Sequence, residues 1–202
     1  MTRSFAVTWD YRCPFARNAH EHVLTGLANG ADWDVRFLAF SLDQIHVEEG
    51  GVSVWDDPSK STGIVALQAG VWVRDNAPEQ FPAAHRALFA ARHDNGLKIA
   101  KPEVVADVLR EVDIDPTEVF AAIDDGSVLK TVQAEHEGFV ESHHVWGVPT
   151  FIGGDQAVFV RFMDRSKDSE DPSGSIKTIE RTVDLVEGWP NLNEFKHTSI
   201  PR

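Results

Sequence analysis

The chain has 202 residues, of which 42% are hydrophobic and 25% charged, which is enough for one domain with a sizeable insertion and a full core. Its formal net charge of −13, without a cluster of lysine and arginine, argues against nucleic acid and anionic membranes as partners. The only cysteine, Cys13, cannot form a disulfide within the chain, and a cysteine-rich zinc site is excluded with it.

The sequence also argues against a membrane or secreted protein. No apolar run approaches the roughly 18 to 20 residues of a membrane-spanning helix. The first ten residues, MTRSFAVTWD, lack the apolar region and the cleavage site of a secretory signal. We therefore expect a cytoplasmic protein whose partners are small molecules or other proteins.

The first predicted unit is a β-α-β unit in residues 4–41. The β-prone run SFAVTW is followed by a helix that has Pro14 in its first turn and Gly30 just past its end, and DWDVRFLAFSL is a second strand. A helix of this length returns the chain to a parallel neighbouring strand. The long loop that follows, residues 41–61, holds Trp55 and is of a kind that either covers a site or is disordered.

Helical patterns dominate residues 58–145 and predict an inserted helical subdomain. We predict four helices, at 82–94, 101–112, 115–123 and 127–144. The third begins most clearly, with Asp115 as N-cap, Pro116 at the first helical position and Glu118 at the capping-box position. The predicted buried positions of the other three are Ala84, Leu88 and Ala91; Val104, Val105, Val108 and Leu109; and Val128, Val132, Phe139, His136 and His143.

The last part of the chain predicts a hairpin followed by a helix. Two β-prone runs, 149–152 and 157–162, are joined by the turn residues GGDQ. After a polar loop, apolar residues of helical spacing are stopped by Gly188 and Pro190; they are Ile176, Ile179, Val183 and Val186. The order β-α-β, helices, β-β-α predicts an α/β protein with parts at 1–57, 58–145 and 146–202.

With a cysteine opening the first helix and Val-Pro-Thr opening the hairpin, the chain resembles the DsbA-type branch of the thioredoxin superfamily over nearly its whole length. Residues 141–159, ESHHVWGVPTFIGGDQAVF, and 188–198, GWPNLNEFKHT, look most like actinobacterial cytosolic proteins that include a mycothiol-dependent nitroreductase. The resemblance implies a thioredoxin fold interrupted by a helical subdomain. The family motif is Cys-Pro-x-Cys, whereas Cys13-Pro14-Phe15-Ala16 lacks the second, resolving cysteine.

The position of Cys13 predicts a reactive thiol. At the first turn of a helix, free N–H groups and the helix dipole favour the thiolate, so we expect a lowered pKa, with help from Arg12 and Arg17. Asp10 would oppose the thiolate unless it points away. The alternative is a buried and inert cysteine, which is the usual state of an unpaired one.

Ala16 in place of the resolving cysteine determines which partners we expect. A mixed disulfide on Cys13 can be released only by an external thiol, so the co-substrate is expected to be a low-molecular-weight thiol, mycothiol or glutathione, without a tightly bound cofactor. The second substrate would be a small electrophile. The oligomeric state stays open.

The resemblance also implies a second half of the site, in which Pro149 is cis and lies across from Cys13. Taken without the resemblance, a trans proline at the start of an edge strand is the simpler interpretation. Trp9 at the end of the first strand shapes either the pocket or the core. The residues expected to bind thiol or substrate are Pro14, Phe15, Val148, Pro149 and Trp9.

The nine histidines do not predict a metal site. His20 and His22 are two apart on a helix and face differently, and His143 and His144 are adjacent, so neither pair has ligand spacing.

Three functions remain open at this point. The first is a thiol-dependent oxidoreductase that uses Cys13 and acts on a disulfide, a nitroaromatic or another electrophile. The second resembles the kappa-class glutathione transferases and the 2-hydroxychromene-2-carboxylate isomerases, relatives that usually carry serine at this position. The third is a binding protein on a redox scaffold that has lost its activity.

Overall fold

The structure is a computed structural model that describes residues 2–166, 171–191 and 193–194. Part of the predicted polar loop (167–170) and most of the tail after Pro190 lie outside the described residues. No helix in the described ranges is both long and apolar enough to cross a membrane.

Four strands form a single mixed sheet of order β2-β1-β3-β4. The strands are β1 (Arg3–Trp9), β2 (Trp33–Ala39), β3 (Thr150–Gly153) and β4 (Gln156–Phe159). β1 and β2 are parallel, as the β-α-β pattern predicts. β3 is antiparallel to β1 and forms the predicted hairpin with β4.

The described residues contain eight α-helices, some of which pack on the sheet and some on one another. They are α1 (Pro14–Ala28), α2 (Leu42–Ile45), α3 (Ile64–Asn76), α4 (Phe81–His93), α5 (Pro102–Glu111), α6 (Pro116–Asp124), α7 (Ser127–His143) and α8 (Pro172–Gly188). The four helices predicted between 58 and 145 correspond to α4 to α7. The Asp115 side chain accepts a hydrogen bond from the Thr117 N–H, as expected for the N-cap of α6.

Helix α3, which is the centre of the helical subdomain, was not among the predicted helices. Eight of its thirteen residues are buried, because α4, α5, α6 and α7 all pack against it. A helix that is covered on most sides has no polar stripe, so its sequence lacks the amphipathic period on which the other predictions depended.

The sheet is covered on both faces. α1 and α8 pack on one face, where the core consists of Phe5, Val7, Ala19, Val23, Trp33, Phe151, Ile179, Val183 and Val186. The predicted apolar face of α8 is therefore confirmed, except that Ile176 is only partly buried. The second core joins the other side of the sheet to the helical subdomain. In that subdomain Val104, Phe139 and His143 are only half-buried, whereas the other predicted positions are buried.

The architecture agrees with the predicted order of a β-α-β unit, a helical insertion and a β-β-α unit. The bounds at 57 and 145 that we gave to its parts stay a prediction.

A buried chain of polar side chains connects the sheet to the helical subdomain. Tyr11 Oη donates to His85 Nδ1 (2.7 Å), and His85 Nε2 lies 2.9 Å from His20 Nδ1. His20 Nε2 lies 3.1 Å from the Thr8 carbonyl, which can only accept, so this nitrogen carries the proton of the ring. The direction of the other two hydrogen bonds follows: His85 Nε2 donates to His20 Nδ1, and Tyr11 donates to His85. Burial lowers the pKa of His20 to about 4 and that of His85 well below its ordinary value, so both rings are neutral.

The strand directions bring distant segments to one edge of the sheet. Trp9 is paired with Ala39, so the chain that follows β1 and the chain that follows β2 emerge side by side. Because β3 runs antiparallel to β1, its first residues lie at this same edge.

Candidate functional site

Cys13 is the N-cap residue of α1. Its sulfur accepts a hydrogen bond from the Ala16 N–H at 3.4 Å, as expected for a thiol at a helix start. Its S–H donates to the Val148 carbonyl oxygen at 3.2 Å, although the two residues are 135 positions apart in sequence. The predicted meeting of the helix start with the hairpin start is therefore present.

The peptide bond between Val148 and Pro149 is cis, as the resemblance implied. Val148 is buried beside the sulfur, and Pro149 directly precedes β3. The sulfur thus lies between two backbone segments, and only 8% of the Cys13 surface is exposed.

The prediction of a lowered pKa for Cys13 is wrong. Burial raises the pKa of the thiol, and this effect exceeds that of the Ala16 and Phe15 N–H groups, which favour the thiolate. The negative charge of Asp10 raises the pKa further, whereas the positive charge of Arg161 lowers it. In the free protein the site therefore favours the thiol, whose proton is held by the Val148 carbonyl.

The two arginines expected to assist the thiolate are committed elsewhere. Arg12 forms an ion pair with Asp43. Arg17 forms ion pairs with Asp94 (2.8 Å) and Glu21 (3.4 Å). Their positive charges are balanced by these carboxylates, so their proximity to Cys13 in sequence does not favour the thiolate.

Asp10 is buried and acts as a backbone anchor. Its two carboxylate oxygens accept from the N–H groups of Arg12 and Leu42, each at 2.8 Å. Burial raises the pKa of this carboxyl group in spite of the two hydrogen bonds. Asp10 therefore holds the loop that carries Cys13 against the segment that follows β2.

Of the remaining predicted site residues, Trp9 lies in the core, whereas Pro14 and Phe15 lie at or near the surface. Trp9 is fully buried and packs in the core against Tyr11, Phe81 and His85, so it does not line the surface of the site. Pro14 is exposed at the first helical position and Phe15 is half-buried beside it.

A surface that the sequence analysis did not identify lies beside Cys13, and we call it the aromatic–arginine surface. It consists of Phe15, Trp146, Phe159 and Arg161. The Arg161 guanidinium lies 5.4 Å from the centre of the Phe15 ring and 5.9 Å from that of Phe159. Trp146 is 63% exposed and its ring centre lies 4.6 Å from that of Phe159. The predicted hairpin contained a signal for this surface, since counting outward from its turn places residues 159 and 161 opposite 150 and 148.

A groove of about 430 Å³ lies at the same edge of the sheet. It is lined by Gln44, Ile45, Trp55, His136, Glu137, Val140 and Glu141. His136 Nδ1 accepts from the Ser41 N–H at 3.2 Å, and burial lowers the pKa of this ring to about 4. The neutral ring therefore carries its proton on Nε2. The buried Trp55 Nε1 has no hydrogen-bond partner among the residues that the structure describes.

The loop that holds Trp55 is anchored by side chains of α2. Gln44 Oε1 accepts from the Val54 N–H (2.8 Å) and the Ser53 hydroxyl (3.1 Å). Asp43 accepts from the Ser61 hydroxyl at 2.5 Å. The loop is thus a defined wall of the groove.

A metal centre has no support in the described part of the chain. In residues 2–166, 171–191 and 193–194, no three histidine, cysteine, aspartate or glutamate side chains are grouped in a way that could hold a metal ion.

Comparison with known proteins gives a family and a fold. A family model described as DSBA-like thioredoxin domain matches residues 7–168. DsbA from Pseudomonas aeruginosa is similar with a TM-score of 0.62 and 17% identity, over 93% of this chain and 84% of that chain. Reduced DsbA1 from Neisseria meningitidis is similar with a TM-score of 0.60 and 18% identity, over 92% and 84%.

A 2-hydroxychromene-2-carboxylate isomerase is similar as well, with a TM-score of 0.62 and 15% identity, over 92% of this chain and 98% of that chain. At these identities the solved structures show the fold alone. No curated protein matches the sequence.

Proposed function

Because the chain belongs to the family of DSBA-like thioredoxin domains, we propose that it is a thiol-dependent oxidoreductase with Cys13 as its single nucleophile. The observation that carries this proposal is the position of the Cys13 sulfur at the start of α1, 3.2 Å from the carbonyl of Val148 and next to a cis proline. An inert cysteine in a core would not require a position between a helix start and a hairpin start, so this position favours a functional thiol.

The proposed first step is thiol–disulfide exchange. The Cys13 thiolate attacks one sulfur of a disulfide, a new bond forms between the two sulfurs, and the other half of the disulfide leaves as a thiolate. One disulfide is consumed and one is formed. The proton of the Cys13 thiol passes to solvent or to the leaving thiolate.

The second step requires a thiol from outside the chain, because Ala16 stands where a resolving cysteine would be. A low-molecular-weight thiolate attacks the mixed disulfide, forms a disulfide with the bound half and releases Cys13 as a thiolate. We propose mycothiol or glutathione as this co-substrate and the cytoplasm as the location, in line with the resemblance of residues 141–159 to mycothiol-dependent proteins.

The groove beside Trp55 and His136 supports a small electrophile as second substrate. Ile45, Trp55 and Val140 form the apolar part of its lining, and the other lining side chains, two of them glutamates, are polar. This lining suits a small electrophile that is largely apolar. Reduction of a nitro group to a nitroso group takes two electrons and two protons and yields water. Two thiols would supply both and become one disulfide.

A second candidate is an isomerase or transferase in which Cys13 orients a bound thiol without forming a disulfide. Ala16 favours this candidate because a resolving cysteine is not needed for such chemistry. The similarity to the 2-hydroxychromene-2-carboxylate isomerase, over 98% of that chain, is consistent with it.

Mass spectrometry of the intact protein tests the proposal. The folded protein is incubated separately with oxidised glutathione and oxidised mycothiol, with Cys13→Ser as the control. We expect a one-to-one mixed disulfide on wild type alone, which persists after the free disulfide is removed and disappears when the reduced thiol is added.

The result also separates the alternatives. No adduct with either disulfide, together with saturable binding of the reduced thiol, would favour the isomerase or transferase. A sulfur that reacts only after unfolding, with no binding of either thiol, would leave the protein as a binding module and contradict the proposed oxidoreductase.

A further inference from the structure

The most informative residue outside the expected site is Arg161. The pairing of Thr150 with Phe159 and the hydrogen bond from the Val160 N–H to the Pro149 carbonyl (3.1 Å) continue the hairpin beyond β4. Counted two positions beyond the Thr150–Phe159 pair, this register places Arg161 opposite Val148. The Val148 carbonyl accepts the hydrogen bond of the Cys13 thiol. The arginine is thus brought to the reactive sulfur by strand register.

The Arg161 side chain packs on two aromatic rings and is otherwise exposed to solvent. Its guanidinium lies over the rings of Phe15 and Phe159, and contacts of this kind stabilise a cation without using its N–H groups. Phe15 belongs to the first turn of α1 and Phe159 ends β4. The two elements of the site therefore fix the position of this charge together, while the residue itself is exposed to solvent.

Within the described residues, Arg161 differs from Arg12, Arg17 and Arg165 because it forms no ion pair with a carboxylate. Arg12, Arg17 and Arg165 all form ion pairs with acidic side chains. Among the described residues, no ion pair and no hydrogen bond involves the Arg161 side chain. In a chain of net charge −13, an arginine that is fixed beside a nucleophile without an acidic partner has its full donor capacity free for a ligand.

We propose that Arg161 determines the specificity of the Cys13 site by selecting disulfides and other electrophiles that carry an anionic group near the reacting atom. A guanidinium presents paired N–H donors that match a carboxylate, so a substrate carboxylate can be bound while its sulfur is placed against Cys13. This inference rests on the proposed function of Cys13, and it uses the same exchange step with the same balance of atoms and electrons.

The electrostatics of the sulfur agree with this role. Burial and Asp10 both disfavour the Cys13 thiolate, and Arg161 is the charge that opposes them. An anionic ligand reaches this sulfur by way of the arginine, whereas a cationic ligand of equal reactivity is repelled from it.

The test compares three disulfides of similar reactivity and different charge. They are oxidised glutathione, which is anionic, bis(2-hydroxyethyl) disulfide, which is neutral, and cystamine, which is cationic. The rate of mixed-disulfide formation on Cys13 is measured for each and divided by its rate with a small free thiol. We expect the normalised rates of wild type to fall in the order anionic, neutral, cationic.

The variants then assign the preference to one residue. Arg161→Gln should lower the ratio of the anionic to the cationic rate by about tenfold, because the variant removes both an attraction of the anion and a repulsion of the cation, each worth about threefold near solvent. Arg161→Lys should keep most of the ratio because it keeps the charge. Arg181→Gln, on the exposed side of α8, removes the same charge from the protein and should leave the ratio unchanged.

Two outcomes would overturn the inference and leave the oxidoreductase intact: equal normalised rates for all three disulfides in wild type, or a ratio that falls equally in Arg161→Gln and Arg181→Gln. A folded wild-type protein that reacts with none of the three would instead remove the proposed function. If Arg161→Gln does not fold, the Lys variant and the loss of the wild-type ratio at high salt decide the question.

Discussion

Acidification should destabilise the protein through three histidines that the fold keeps neutral. His20 and His85 belong to the chain of polar groups that starts at Tyr11, and His136 accepts the Ser41 N–H. All three are buried, the pKa values of His20 and His136 are lowered to about 4, and burial lowers the pKa of His85 well below its ordinary value. The perturbation we consider is a change from pH 7.5 to pH 5.0.

The sign and size follow from proton linkage. Between pH 6.5, the usual pKa of histidine, and the lowered folded value, the unfolded chain binds more protons than the folded one, so stability is lost as the pH falls. At pH 5.0 this amounts to ~2 kcal/mol for each of His20 and His136, or ~4 kcal/mol for the two, and the lowered pKa of His85 adds to the loss in the same direction. Asp10 acts in the opposite direction, because its pKa is raised in the folded state, and it offsets part of the loss.

Urea unfolding followed by tryptophan fluorescence at the two pH values measures this loss. A net loss of ~4 kcal/mol is a large part of the stability of an ordinary domain, about 5 to 15 kcal/mol. His136→Asn keeps an acceptor for the Ser41 N–H but does not titrate, so it should reduce the loss by ~2 kcal/mol. The exposed His144, whose positive φ of 53° asparagine tolerates, supplies the control His144→Asn.

A wild-type protein whose free energy of unfolding changes by less than ~1 kcal/mol between the two pH values would refute this reasoning. The same conclusion would follow if His136→Asn and His144→Asn had equal effects on the pH dependence.

Two further predictions concern α1, which begins after Cys13, and α3 in the core of the helical subdomain. Ala16→Cys should form a disulfide with Cys13, shorten the life of the mixed disulfide with glutathione and add insulin reduction by dithiothreitol; a variant with an unchanged adduct lifetime would mean that the two sulfurs do not meet. Gly70→Ala should destabilise the protein by ~2 kcal/mol in urea unfolding, because the new methyl group lies 2.8 Å from Cε2 of the fully buried Tyr11 and closer still to its hydroxyl. Gly138→Ala meets no atom within 4 Å and should stabilise α7 by up to ~1 kcal/mol, so equal effects of the two alanines would contradict the packing argument.

The sequence by itself determined those features that depend on neighbouring residues. Pro14 and Gly30 bound the first helix, and Asp115 caps α6, because helix ends are set by one side chain and the nearest backbone groups. The turn at GGDQ determined the hairpin and its register. These elements and their order predicted an α/β protein with a helical insertion, whereas the meeting of Cys13 with Pro149 was implied by the resemblance to the DsbA-type branch.

Only the tertiary structure decided the environment of each group. The apolar α3 had no period that its own sequence could show, since its neighbours cover it on most sides. Arg12 and Arg17 are close to Cys13 in sequence but are paired with Asp43 and Asp94, whereas Arg161, 148 positions after Cys13, is the charge that lowers the pKa of the thiol. The pKa of Cys13 is raised because the free energy of a charge depends on solvent and on surrounding charges in three dimensions, which a helix start in the sequence does not specify.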